Sequence, residues 1–334
     1  MQGEPDVLFH NNGNGTFTDV TKSAGIKDPN YYGFGVEFSD FDNDGWPDIY
    51  VANDGNPNLL FHNNHNGTFS EMGVLSGAGL NEAGRAQSGM GVAVGDYDGN
   101  GLFDIFVTNF ANDTNTLYQN LGKMLFADVT SPAGLGEVSL QYLGWGTGLE
   151  DFDNDGLPDI FVANGHVYPQ VDAFETGQHY AQRKELYRNL GGGKFKEIAR
   201  ESADLLVPKS SRGAVFGDFD NDGNIDVLVI NMNDRPSLFH NEGGTQNHWI
   251  TMRLKGTRSN RDAIGARVEI LAGGKTQVSE VRSGGSYLSN NDVRIHFGLG
   301  SASKVERIRI RWPNGNTEDL PGMSADQFIT ITEK

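Results

Sequence analysis

Four short stretches concentrate hard oxygen donors: DFDNDGWPD at 40–48, DYDGNGLFD at 96–104, DFDNDGLPD at 151–159 and DFDNDGNID at 218–226. Each puts side-chain oxygens at positions 1, 3, 5 and 9, and a glycine at position 6 permits the sharp bend between them. The carbonyl at position 7 can turn inward as a further ligand. The sets are Asp40, Asp42, Asp44, the Trp46 carbonyl and Asp48; Asp96, Asp98, Asn100, the Leu102 carbonyl and Asp104; Asp151, Asp153, Asp155, the Leu157 carbonyl and Asp159; and Asp218, Asp220, Asp222, the Asn224 carbonyl and Asp226. Carboxylates crowded in this way repel one another unless a cation lies among them. The donor count suits Ca²⁺ at up to four sites, and suits Mg²⁺ poorly, because Mg²⁺ prefers few carboxylates and retained waters. The second loop, with Asn100 in place of a carboxylate, is expected to bind most weakly. The twelfth position is Val51, Val107, Val162 or Val229, where an EF-hand needs Glu. A calmodulin-like sensor is thereby excluded. The alternative is a solvated turn, which one loop would not argue against and four at matching positions do.

Such loops need elements that hold them, and the surrounding sequence repeats too. The loops start 56, 55 and 67 residues apart. Upstream, alternate residues are apolar: Phe34, Val36, Phe38; Met90, Val92, Val94; Trp145, Thr147, Leu149; Ala214, Phe216. Downstream run DIYVAN, DIFVTN, DIFVAN and DVLVIN, apolar at nearly every residue and expected to be covered on both faces. An aromatic-x-Asn strand, a polar turn and another short strand complete each unit. The recurring Asn11, Asn63, Asn120, Asn189 and Asn241 read as backbone-binding turn residues. Four short strands over roughly 55 residues, needing cover on two sides, predict an all-β fold, a β-propeller of four-stranded blades. Full blades are expected at 33–75, 89–130 and 144–200, with a fourth from Gly213 whose last strand is unassigned. The stretch DVLFHNNGNGTFTDV matches only the second half of a unit. The expectation is an open arc, part of a larger propeller, that leaves Phe34, Val36, Ile49 and Val51 without a neighbour, or one whose exposed face is covered by another copy or by the tail domain. The alternative is closure, with the N-terminal half-unit beside the fourth blade.

The chain has 334 residues, 45 of them Gly and none Cys, with a net charge of −18. Disulfides, zinc–thiolate sites and thiol nucleophiles are excluded, and the acidity disfavours nucleic acid as a partner. No stretch has the 18 consecutive apolar residues of a membrane span. The first twenty residues have neither a basic nor an apolar signal region, which taken literally gives a cytoplasmic location. Residues 1–245 hold 13 basic and 35 acidic side chains, whereas residues 246–334 hold 13 and 9. That step, near Gly243-Gly244, predicts a repeat domain at 1–245 and a second domain at 246–334. In the second, HWITMRL, ARVEIL, TQVSEV, DVRIHF and VERIRIRW read as strands, with hairpin turns at 273–274 and 314–315. They predict a small β-sandwich-like domain. Ile308, Ile310 and Trp312 share one face of its last strand and Arg307, Arg309 and Arg311 the other. The arginines are solvated, docked on the acidic repeats, or an anion site. An insertion at 164–187 carries His166, Tyr168, His179 and Tyr180, which either pack the loop down or present a ligand surface.

The Asp loops followed by aliphatic strands and LFHNN…GTF resemble the FG-GAP, or VCBS-repeat, family of integrin alpha-chain propellers. LKGTRSNRDAIGARVEI, EVRSGGSYLSNND, HFGLG and IRIRWPNG resemble the ASPIC/UnbV domain of the cartilage acidic protein family and its bacterial relatives. The resemblance implies calcium in the loops, an extracellular or periplasmic location, and no established catalysis. Two functional classes follow. One is a calcium-stabilised interaction or adhesion module whose partner is protein or glycan, with self-association through an exposed blade face. The other is an enzyme or accessory catalyst using a propeller face or the 164–187 insertion. No HExxH, nucleophile elbow, P-loop or dinucleotide fingerprint favours the second.

Overall fold

The computed structural model describes residues 3–27, 29–175, 177–243 and 246–334. Strands β1 (Phe9–Asn11) and β2 (Phe17–Asp19) form a hairpin. Three four-stranded antiparallel sheets follow in simple up-and-down order. They are β3 (Gly33–Ser39), β4 (Asp48–Asn53), β5 (Leu59–Asn63) and β6 (Phe69–Glu71); β7 (Gly89–Gly95), β8 (Asp104–Asn109), β9 (Thr116–Asn120) and β10 (Phe126–Asp128); and β11 (Gly144–Glu150), β12 (Asp159–Asn164), β13 (Glu185–Asn189) and β14 (Phe195–Glu197). A fourth sheet has three strands, β15 (Ser211–Gly217), β16 (Asp226–Asn231) and β17 (Ser237–Phe239). The repeat units stand where the sequence puts them, and every Asp loop joins the first strand of a sheet to the second.

Consecutive sheets pack face to face by one rule. Tyr50 and Ala52 meet Val92, Val94, Ile105 and Val107. Ala93 and Phe106 meet Leu149, Ile160 and Val162. Phe161 and Ala163 meet Ala214, Phe216, Val227 and Val229. First strands approach backbone to backbone: a Cβ on Gly91 would lie 2.0 Å from the Trp145 carbonyl oxygen, and one on Gly146 would lie 2.4 Å from the Ala214 nitrogen. Only glycine fits there.

The array is open, with no closed ring of sheets among the described residues. Val36 is 53% exposed at one end, and Ile230 is 46% exposed at the other. The expectation that every second strand is covered on both faces therefore fails at β16, where Leu228 and Ile230 face outward. The separate expectation that the first blade leaves Ile49 and Val51 without a neighbour also needs correction. Ile49 and Val51 are buried beneath Leu8, Val20, Ala24 and Ile26 of the N-terminal segment, so only the β3 side, with Phe34 and Val36, stays open. The hairpin covers the outer half of that face because it supplies only the two outer strands of a unit.

The C-terminal region has seven strands: β18 (His248–Lys255), β19 (Arg267–Ala272), β20 (Lys275–Glu280), β21 (Ile295–Gly300), β22 (Lys304–Arg311), β23 (Thr317–Ser324) and β24 (Gln327–Thr332). Sheet β21-β18-β24 and sheet β20-β19-β22-β23 share one core, with Met252 and Phe297 from the first against Val268, Ile270, Ile308 and Ile310 from the second. Both predicted hairpins form. Strands β23 and β24 were not read from the sequence, because TEDLPGMS has little strand character and β24 pairs in parallel with β18, 77 residues away by register (Ile250 with Gln327). The proposed boundary falls at Gly244 and Thr245, which lie outside the described residues.

Candidate metal loops

The four Asp loops share one backbone-built geometry. The first Asp accepts from the amides of positions 5 and 6: Asp40 from Asp44 and Gly45, Asp96 from Asn100 and Gly101, Asp151 from Asp155 and Gly156, Asp218 from Asp222 and Gly223, all at 2.7–3.2 Å. Position 4 is left-handed, and Asn43, Asn154 and Asn221 tolerate it at φ 57–63°. The ninth residue closes the loop. Asp48, Asp104 and Asp226 accept from the amides of Phe41, Tyr97 and Phe219 at 3.1–3.2 Å. Their other oxygens, with that of Asp159, accept from Asn63, Asn120, Asn241 and Asn189 at 2.7–2.9 Å. The recurring asparagines do more than bind their own turns. Asn120, Asn189 and Asn241 each donate, at 2.8 Å, to a carbonyl of the preceding unit (Phe41, Tyr97 and Phe152), stitching sheet to sheet at the loop end.

The remaining carboxylate oxygens converge. One ligand atom each from Asp40, Asp42 and Asp44, from Asp96, Asp98 and Asp104, and from Asp151, Asp153 and Asp159 lie within 4.8 Å of one another. Histidine joins at two places, with Asp42 and Asp48 (His62) and with Asp220 and Asp222 (His240). Burial pushes Asp48 up to about 7, Asp96 to about 6, and Asp104 and Asp159 to about 8, and neighbouring aspartates add to each shift. Burial also raises Asp42, Asp151, Asp155, Asp218 and Asp226. A divalent cation would offset this cost, and hard oxygen donors held by backbone amides fit Ca²⁺. For the four position-7 residues, the amides of Trp46, Leu102, Leu157 and Asn224 are tied to the position-5 side chains at 2.7–2.9 Å.

All four loops lie against the C-terminal region. Arg311 pairs with Asp40 and donates to the Asn43 carbonyl at 3.2 Å. Arg267 donates to the Gly101 carbonyl at 2.5 Å. The Asn154 side chain meets His296 Nε2 at 2.6 Å, and Arg294 reaches the Asp218 carbonyl and Asn221 at 2.7 Å. Of the arginine stripe, Arg311 alone docks on the repeats; Arg307 and Arg309 pair with Glu269 and Asp319 on their own sheet. The loop at 283–292 lies against the first strands of the second and fourth sheets. There Ser286 pairs with Val92 through both backbone groups, and Asn291 accepts from the Phe216 amide at 3.1 Å. A cavity of about 430 Å³ remains beside it, lined by Glu37, Glu150, Glu280 and Arg282 among others. These contacts were not legible in sequence, since each joins residues far apart in the chain.

In the insertion, His166 packs down: it is buried against Phe110, and its carbonyl accepts from Ser210 and Arg212. Tyr168 is exposed, and His179 pairs with Asp172 at the surface. Thr176 lies outside the described residues.

Among known proteins, the chain is 29% identical over 323 residues to cartilage acidic protein 1 of Mus musculus and 28% identical over 324 residues to that of Homo sapiens, in each case over 94% of this chain. It spans about half the length of these relatives, 47% and 46%. A solved Agrocybe aegerita lectin, described as recognising non-reducing terminal N-acetylglucosamine, aligns with 72% of this chain and 75% of its own at 17% identity and a TM-score of 0.33, too low to bear on function. Residues 256–334 match the ASPIC and UnbV domain. Residues 2–51, 40–107, 96–162 and 151–229 match the FG-GAP-like repeat, the first match ending just past the first Asp loop and the other three each running from one Asp loop through the next, and the chain belongs to that repeat family.

Proposed function

We propose that this chain is a calcium-stabilised, non-catalytic interaction or adhesion module of an extracellular or periplasmic protein. Its sheets act as blades of a propeller-like array at 1–245, capped by an ASPIC/UnbV-like β domain at 246–334. The observation that carries the reading is the fourfold repetition of one backbone-held aspartate cage. The four sets of side chains and position-7 carbonyls named from the sequence are the proposed ligands, one Ca²⁺ to each set. Bound calcium would neutralise the carboxylates and tie the two strands flanking each loop, supplying stability and no reaction step. The partner surface is protein or glycan. The open β3 face, with Phe34, Val36 and Phe38, is the proposed site of self-association. No helix among the described residues is long and apolar enough to cross a membrane.

Calorimetric titration of the chelator-stripped chain with CaCl₂ tests this. The expectation is binding of up to four equivalents, with dissociation constants of roughly 10⁻⁴–10⁻³ M. A flat isotherm, with no calcium retained at equilibrium dialysis, would overturn it.

A further inference from the structure

The four loops share their backbone and differ in the side chains laid across them: besides its partner from the C-terminal region, each carries one from its own unit. The residue just before each recurring asparagine lies on the third strand of its unit or, for His240, one residue past it: His62, Gln119, Arg188 and His240. Each touches the position-3 aspartate of its loop. His62 Nδ1 lies 3.6 Å from Asp42 Oδ2 and 3.2 Å from Asp48 Oδ1. Gln119 Nε2 lies 2.6 Å from Asp98 Oδ2, Arg188 Nε 3.3 Å from Asp153 Oδ2, and His240 Nε2 3.1 Å from Asp220 Oδ2 and 3.8 Å from Asp222 Oδ2. The first loop has a second imidazole, His65, in contact with Asp44 and stacked on Trp46 at 5.4 Å.

These groups differ in what they offer a cation. An imidazole nitrogen is a good ligand for borderline metals and a poor one for Ca²⁺. An amide can turn its oxygen inward and keeps a loop oxygen-only. A guanidinium cannot ligate and stays charged, so it holds a fixed positive charge beside the site. In the third loop a second cation, Lys275, also acts on Asp155.

Building on the reading of these loops as cation sites, we propose that this one position selects the occupant of each. His62 and His240 make the first and fourth loops mixed nitrogen–oxygen sites that take Ca²⁺ but prefer a borderline divalent cation such as Zn²⁺ when one is present. Gln119 leaves the second an oxygen-only calcium site. Arg188 serves the third as a built-in counter-cation and makes it the weakest calcium site, a rank the sequence reading gives to the second loop.

The test is calorimetry on the full metal-stripped chain, with ZnSO₄ and CaCl₂ in separate titrations and circular dichroism confirming the fold of each variant. Wild type should take two equivalents of Zn²⁺, the tighter one at the first loop. The double variant His62→Gln, His240→Gln should lose both by about tenfold or more in affinity, while the surface control His179→Gln keeps them. Arg188→Gln should tighten one calcium equivalent by about tenfold, and the reciprocal Gln119→Arg should weaken one by a similar factor, the size expected of one charge at a partly solvated site. Either reciprocal variant suffices if the other fails to fold. Zinc isotherms that are absent, or unchanged in the double histidine variant, would overturn the proposal, as would calcium isotherms unchanged in both Arg188→Gln and Gln119→Arg. The two readings fail separately: the calcium arm counts against the selector only where wild type binds calcium, and zinc bound through His62 and His240 by a chain that binds no calcium would refute the calcium module and leave the histidine assignment standing.

Discussion

The two middle sheets and the two flanking ones are built from the same repeat and end in different states. In β8 and β12 all six residues are buried, whereas β16 alternates buried and exposed, and β3 turns Val36 and Phe38 outward. Nothing in the local sequence marks the difference: DVLVIN is as apolar as DIFVTN. Hydrophobic content states what a strand can bury, and the presence of a neighbour decides what it does bury. The loop ends behave differently. Each Asp cage is complete within its own unit, so flanking and middle loops have the same geometry.

The largest effect should come from calcium, which acts on flanking and middle units alike. At 10 mM Ca²⁺ and the affinities proposed above, linkage gives about 1.4–2.7 kcal/mol per occupied loop. Thermal melts in excess chelator should therefore fall well below melts in calcium. Equal midpoints would show that the cages stand without metal.

Packing should separate the two classes of sheet. Phe106 is fully buried between the second and third sheets, and Phe106→Ala should cost about 3–5 kcal/mol. Ile230 points out of the open end, and Ile230→Ala should cost less than about 1 kcal/mol. Denaturant melts of both variants measure the contrast. A large loss at Ile230 would mean that its face is covered in solution, by a second copy or another segment, and sedimentation would identify the first.

Much of the fold was legible because its signals are local. The loops, the strand pairs around them and the half-unit at Phe9–Asp19 follow from spacing and alternation within about 60 residues. The clustering of the loop carboxylates was legible for the same reason. What sequence could not supply was long-range: the Asn120 bond to Phe41, the parallel pairing of β18 with β24, and the placement of Arg267, Arg294 and Arg311 over the loops. The arginines carried a partial signal in the basic balance after residue 246, but the sequence could not say which of them docks. The side chains proposed as selectors stand in LFHN, LYQN, LYRN and LFHN, where the asparagine repeats and the residue before it does not, so repetition alone does not mark them.

Docking gives the third contrast, between a loop with metal and one without. Asp40 is almost wholly buried, and Arg311 is its ion-pair partner from the C-terminal region. Arg311→Ala should cost about 2 kcal/mol in chelator, where Asp40 keeps the Asp44 and Gly45 amides but loses its cationic partner. In saturating calcium the cation takes over part of that role, so the cost should shrink. An equal cost in both conditions would show that Arg311 works only as packing.

The smallest expected effect lies where the 283–292 loop meets β3, and there pH separates the repeats from the region docked on them. Glu37 of β3 is 96% buried beside the 283–292 loop, and burial raises it from 4.5 to about 7, opposed by the nearby Arg282 and reinforced by Glu280. An unfolded glutamate ionises near 4.5, so between that pH and about 7 the native state holds a proton that the unfolded state has released. Stability from this group is therefore highest below pH 4.5, falls as pH rises to about 7, and is flat above. Glu37→Gln keeps the shape and removes the titration. The variant should match wild type near pH 4.5 and exceed it at pH 8 by about 1 kcal/mol. That is less than full desolvation would give, because a polar cavity of this size has room for water. Taking the difference between the two proteins' stability–pH curves cancels the titration of the Asp loops, which both share. A flat difference curve would mean that Glu37 ionises as freely in the native state as in the unfolded chain, and that the contact between the 283–292 loop and β3 opens to solvent.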